Sequence, residues 1–161
     1  MSFLILPSKF NSSHVHFGSP VKNNESDGKF CRIVYSTKNI SFNGVGIFVD
    51  FVDAMQEIHY KKTFIRFDPA ISINAKMITL LQQIETDILE KYVERVIGEM
   101  KHCVYSLAEQ LNSRCIKAYT NDASDTDTSC NDLLNCHVML KICGVWETKG
   151  ECGIFYKFIK C

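Results

Sequence analysis

The run Lys61-Lys62-Thr63-Phe64-Ile65-Arg66-Phe67 is the first place where residue type and spacing suggest chemistry. At the two-residue period of a strand, Lys62, Phe64 and Arg66 share one face, while Thr63, Ile65 and Phe67 share the other. A face that mixes cations with an aromatic ring suits a flexible polyanion with flat bases. The cations neutralise phosphates, and each base stacked on a ring contributes about 1 to 3 kcal/mol. The end of the chain repeats the mixture. A two-residue turn at Lys149-Gly150 pairs Val145 with Ile154, Cys143 with Tyr156 and Lys141 with Phe158, so all six share a face. Lys141, Tyr156 and Phe158 then resemble the first set in kind. The competing reading makes Phe64, Tyr156 and Phe158 half-buried strand residues whose basic neighbours keep an outer face soluble. Trp146, the single tryptophan, is either a stacking platform or a plug that fills a large site, and the plug is favoured.

Other chemistries find less support. The chain contains no G-x-S-x-G, H-E-x-x-H, P-loop or G-x-G-x-x-G, so no enzyme is expected. His59, His102 and His137 are isolated, and side chains at His102 and Cys103 diverge on a helix, which argues against a dyad. None of the eight cysteines forms a C-x-x-C pair. Cys136 and His137, with Cys130 nearby, would point to opposite faces of a strand, so neither a metal nor a cofactor is expected. The cysteines read as reduced thiols packed like small hydrophobes, although an even count also admits a disulfide framework.

These residues need strands to hold them. Asn43-Gly44 between two β-rich runs predicts a hairpin with strands at 30–42 and 45–52, followed by the strand 61–67 ending at Asp68-Pro69. Met1 to Pro7 reads as a first strand rather than a signal peptide. Met77, Leu81, Ile84, Ile88, Tyr92, Val96 and Met100 recur every three or four residues and predict one long amphipathic helix over 74–100. Ser72 or Asn74 is expected to cap it, and Val104, Leu107 and Leu111 hint at a second helical piece. Val138 to Trp146 and Cys152 to Lys160 read as a closing hairpin. The polar stretch 8–29 is expected to be a mobile loop around one short strand, and 121–132, with four aspartates, a second mobile loop without the pattern of a calcium site.

The resulting order, β-β-β-α-β-β, predicts an α+β, mostly β fold: an OB-like five-stranded antiparallel barrel or sheet with one long helix. The 161 residues fit a single domain, and 46% hydrophobic against 22% charged residues excludes disordered and collagen-like classes. Eighteen basic residues balance eighteen acidic ones, so any polyanion must be held by a local basic face rather than by the global field. No apolar run reaches the roughly 18 to 20 residues of a membrane span, which leads us to expect an intracellular protein, nuclear or cytoplasmic, neither secreted nor membrane-bound.

The segment Leu140-Lys-Ile-Cys-Gly-Val-Trp-Glu-Thr-Lys-Gly-Glu-Cys-Gly-Ile-Phe-Tyr-Lys-Phe-Ile159 resembles the terminal hairpin of single-stranded-DNA-binding OB proteins encoded by large DNA viruses. There a strand ends at Gly-x-Trp, a short polar turn follows, and the last strand carries a Gly-x-x-Tyr-Lys-Phe-like run. The resemblance covers about 20 residues and implies a replication or recombination protein that coats single strands without sequence preference. Carried over by position, it implies roles for Lys141, Trp146, Tyr156, Lys157 and Phe158. The expected partner is single-stranded DNA, with RNA and homo-oligomerisation open. The neutral net charge and the acidic stretch 121–132 depart from a simple basic binder. The alternative is an interaction module acting through helix 74–100, although Ile78, Leu80, Leu89, Val93 and Ile97 widen its apolar stripe beyond a two-stranded seam, as suits a core-facing helix.

Overall fold

A computed structural model describes residues 3–23, 27–120 and 128–161, with only the backbone of 128–132 described. Among the described residues, ten strands and two α-helices follow in order: β1 (Val15–Phe17), β2 (Val21–Lys22), β3 (Lys29–Ser36), β4 (Ser41–Asn43), β5 (Val45–His59), β6 (Lys62–Arg66), α1 (Ser72–Tyr92), β7 (His102–Val104), α2 (Ser106–Asn112), β8 (Cys115–Tyr119), β9 (Thr128–Glu147) and β10 (Glu151–Lys160).

Five of these strands close on themselves. β5 pairs with β6, β6 with β8, β8 with β10, β10 with β9, and β9 returns to β5; only the β8–β10 contact in this ring is parallel. The fold is therefore an α+β, OB-like five-stranded barrel with one long helix, as expected. Closure leaves no open edge along the ring and lets inward residues of every strand meet. Val45, Ile47, Val49 and Phe51 from β5, Ile65 from β6, Ile116 and Ala118 from β8, Leu140 and Ile142 from β9, and Phe158 from β10 are all buried there. Phe51 and Phe67 stack with centroids 4.1 Å apart.

Membership of the barrel differs from expectation in two places. The predicted strand 30–42 breaks into β3 and β4, which pair with each other around Thr37 to Ile40 and lie outside the ring. Asn43-Gly44 is thus no hairpin turn. The chain runs on through Gly44, whose φ of 77° only glycine adopts readily and whose missing Cβ would lie 2.8 Å from the Ile142 carbonyl oxygen. β3 instead extends β9 beyond β5, pairing Lys29 with Glu147 and Arg32 with Gly144. The missing barrel strand is β8, whose five residues are too short and too mixed for periodicity to reveal. The helix consequently lies between the second and third barrel strands, not after the third. Ile5, in the predicted first strand, makes one isolated bridge to Ile47.

Helix α1 covers one side of the barrel with Ile78, Leu81, Ile84, Ile88, Leu89 and Tyr92, all buried. Its wide stripe faces its own core, and Ile84 and Ile88 are not offered to a partner. A π-helical segment, Val93–Ile97, continues it to Gly98. Neither expected cap acts at the start: Ile71 holds the cap position without a side-chain bond, and Ser72 is the first helical residue. Asn74 is buried instead, accepting from Val52 N (2.9 Å) and donating to the carbonyls of Val52 and Asp68 (3.0 Å each). That grip holds β5 where its register slips between Phe51 and Ala54. The second helical piece is α2, whose first amides are capped from a distance: Glu85 accepts from Leu107 N (3.0 Å) and Ala108 N (2.8 Å). Burial, ahead of a smaller push from Glu109, holds the Glu85 carboxyl above its usual range despite those two bonds.

Of the predicted 8–29 loop, 24–26 lies outside the described residues; the 3₁₀ turn Pro7–Lys9 leads into the segment, and a second turn, Ser12–His14, is followed by β1 and β2. Of the predicted 121–132 loop, 121–127 lies outside the described residues, whereas 128–132 already belongs to β9, its first three residues pairing with β5. Among the described residues, no helix is long and apolar enough to cross a membrane.

Candidate nucleic-acid interface

β6 keeps the predicted alternation. Thr63 and Ile65 point inward, Phe67 is buried just beyond the strand, and Lys62, Phe64 and Arg66 face outward, with Lys62 and Arg66 exposed and Phe64 half-buried. The neighbouring strand adds residues the sequence reading did not select. Lys62 lies opposite Tyr119, Phe64 opposite Lys117 and Arg66 opposite Cys115. The Lys117 ammonium sits 5.3 Å from the Tyr119 ring centroid, a cation–π contact that presents charge and ring together. Their alternation within Cys115-Ile-Lys-Ala-Tyr119 was the available signal, visible once 115–119 is known to be a strand.

The same level of the barrel continues onto β10 and β9. Ala118 pairs with Phe158, which brings the preceding residues Lys117 and Lys157 to neighbouring outward positions, and Lys157 pairs with Lys141. Phe64, Lys117, Lys157 and Lys141 thus form a row across four adjacent strands. Lys141 also borders a hollow of about 140 Å³ beside the stacked rings of Phe3 and Phe42. On the β5 side the face is acidic. Glu57, opposite Phe64, lies 3.8 Å from Arg66 and 2.6 Å from His59, so part of the Arg66 charge is already matched.

The terminal hairpin departs from its predicted register. Val145 pairs with Ile154 as expected, but a bulge between Phe155 and Tyr156 skips Cys143, so Tyr156 meets Ile142 and Phe158 meets Leu140. One residue of slip reverses which side chains face in. Lys141, Tyr156 and Phe158 therefore do not share an outer face. Phe158 is buried in the core. Tyr156 is half-buried, and its hydroxyl donates toward Ser106 O (3.2 Å) and Gln110 Oε1 (2.8 Å), fixing α2 to β10. Burial, then the nearby Glu85 charge, pushes that phenol up to about 12.

Trp146 is not a barrel plug. It lies on the outside near the hairpin tip, over Gly153, where an added Cβ would stand 2.6 Å from its ring. Phe30 pairs with it across β3, and Phe30 meets the exposed Phe155 edge to face at 5.9 Å. Trp146 is level with Gly153 on β10, whereas Lys62 is level with Tyr119 and, through it, Ile159. Six residues of strand separate the two levels, about 20 Å at roughly 3.3 Å per residue. Trp146 and the Lys62 face are separate patches. No protein-family model, curated protein or solved structure matches the chain.

The remaining candidates are placed as follows. Cys136 is buried and His137 exposed, on opposite sides of β9, and His102 and Cys103 belong to a strand rather than a helix. Among the described residues, no group of three His, Cys, Asp or Glu side chains could hold a metal.

Proposed function

We propose that the chain binds single-stranded nucleic acid without sequence preference, across the outer face of β6 and β8. The observation that carries this reading is the placement of Phe64 between Lys62 and Arg66, beside Lys117 and Tyr119, on the second and third barrel strands. That is the face on which OB barrels take oligonucleotides. The rings supply stacking surfaces open to any base, and the lysine row toward Lys157 and Lys141 supplies a path for the phosphates. DNA is the expected polymer, and viral DNA replication or recombination is the setting implied by the resemblance of the terminal hairpin. Trp146, six residues of strand from the level of Lys62, is assigned to packing against Gly153 and Phe30.

Fluorescence anisotropy of a labelled oligo-dT, titrated with reduced protein at two salt concentrations and repeated with duplex DNA and oligo-U, tests the proposal. Salt-sensitive binding that prefers the single strand is the expected result. Absence of binding at low salt would return these residues to ordinary barrel surface.

A further inference from the structure

The short strand β7 lies parallel to the beginning of β10, and its register places Cys103 directly opposite Cys152. The two sulfurs are 3.9 Å apart. Neighbouring strand backbones lie about 4.8 Å apart, inside the roughly 4.4 to 6.8 Å that disulfides span between Cα atoms. Side-chain rotation alone can therefore bring these sulfurs to bonding distance. The two thiols are unequal. Cys152 is fully buried, whereas Cys103 is half-exposed on the wall of an open hollow of about 680 Å³ that is also bordered by Met100 and Tyr105. A small oxidant can reach Cys103 first.

We propose that Cys103 and Cys152 are a paired oxidation site, closed into a reversible disulfide by a peroxide. The Cys103 sulfur attacks one peroxide oxygen, the O–O bond breaks, and a sulfenic acid and one water result. The Cys152 sulfur then attacks the Cys103 sulfur. The S–S bond forms, the S–O bond breaks, and the departing hydroxyl takes the Cys152 proton as a second water. Two thiols lose two electrons and two protons, and the peroxide becomes two waters. Access sets the order, Cys103 first and the fully buried Cys152 as the resolving partner; burial, with the neighbouring Cys103 sulfur, also raises the Cys152 thiol above its ordinary value.

The bond would close a loop between residues 49 apart and fasten a strand otherwise held by three register pairs. The same segment is already tied to the hairpin tip, since Lys101 Nζ donates to Thr148 O (2.7 Å) and His102 N to Gly150 O (3.0 Å). Oxidation therefore staples β7, the strand between the π-helical segment and α2, to the β9–β10 hairpin. This site is independent of the nucleic-acid reading.

The test uses reduced full-length protein, a stoichiometric amount of hydrogen peroxide, N-ethylmaleimide to block remaining thiols, and mass spectrometry without reductant. The expected result is a peptide linking Cys103 to Cys152, and a Tm about 10 °C higher that falls back with dithiothreitol. Cys103→Ser should abolish both effects. Cys103 is the residue to replace because Cys152 is buried; the cross-link map of the unaltered protein decides the question even if that variant fails to fold. Alkylation of both cysteines after peroxide would overturn the proposal, as would a sulfinic acid on Cys103 beside a free Cys152, or a bond formed through another cysteine.

Discussion

Replacing Lys62 and Lys117 together by alanine tests the proposed interface through its salt dependence. Lys62, Lys117, Lys157 and Lys141 face outward on β6, β8, β10 and β9, and among the described residues none has a carboxylate within 4.0 Å. Arg66 is left out because Glu57 lies 3.8 Å from it. For a single strand, each phosphate neutralised contributes a slope of about 0.7 to log Kd against log salt, so four lysines give about 2.8. Raising salt from about 50 to 200 mM should then weaken binding roughly 50-fold. With two lysines removed the slope falls to about 1.4, and the same change in salt weakens binding only about 7-fold. Anisotropy of a labelled oligo-dT over a salt series measures both slopes, and a thermal melt checks that the variant is folded. Neither lysine holds a core contact, so Tm should stay within a few degrees of wild type. A folded double variant that binds with the unchanged slope would show that phosphates do not lie along this row.

Further substitutions separate the outer face from the packing beneath it. Phe64→Ala should lower oligonucleotide affinity by about 1 to 3 kcal/mol with little change in stability, whereas Tyr156→Phe should leave affinity intact and cost about 1 kcal/mol of stability in denaturant melts. The reverse pattern would put Tyr156, and not Phe64, against the polymer. Glu85→Ala removes both acceptors and leaves the buried amides at the start of α2 unmatched, and a loss of about 1 to 3 kcal/mol is expected in urea unfolding. Because the folded carboxyl holds its proton more tightly than the unfolded one, its titration contribution is complete below the ordinary value of 4.5 and is lost as pH rises through the raised folded value. The stability advantage of wild type over Glu85→Ala should thus shrink as pH rises across that window, and a growing advantage would contradict the assignment. The Thr63 hydroxyl is buried in the barrel with no hydrogen-bond partner among the described residues, so Thr63→Val should raise stability by about 1 kcal/mol, measured by the same urea series.

Patterns carried by consecutive residues were legible without the structure. The period of two in 61–67 already separates Lys62, Phe64 and Arg66 from Ile65 and Phe67, and the three-to-four spacing from Met77 to Val96 already describes a helix with one apolar side. The Lys149-Gly150 turn likewise fixes the first pairs of the last hairpin, because a short turn leaves its flanking residues little choice of partner. The amino-acid order by itself therefore determined the β-rich class, the long helix, the closing hairpin and one outward face.

Partner choice was decided only by the tertiary structure. Which five strands close the ring depends on contacts between residues far apart in sequence, and nothing local distinguishes β3, left outside it, from β8, drawn into it. The bulge at Phe155 and Tyr156 is a second case. It lets Tyr156 reach Ser106 and Gln110 on α2 while Phe158 fills the core, a gain set by packing against another element rather than by hairpin periodicity. That single skipped residue took Tyr156 and Phe158 off the proposed face. The closure of β6, β8, β10 and β9 put Lys117 and Tyr119 on the strand beside Phe64 and Lys157 on the next, because side chains on neighbouring strands meet only after register is set.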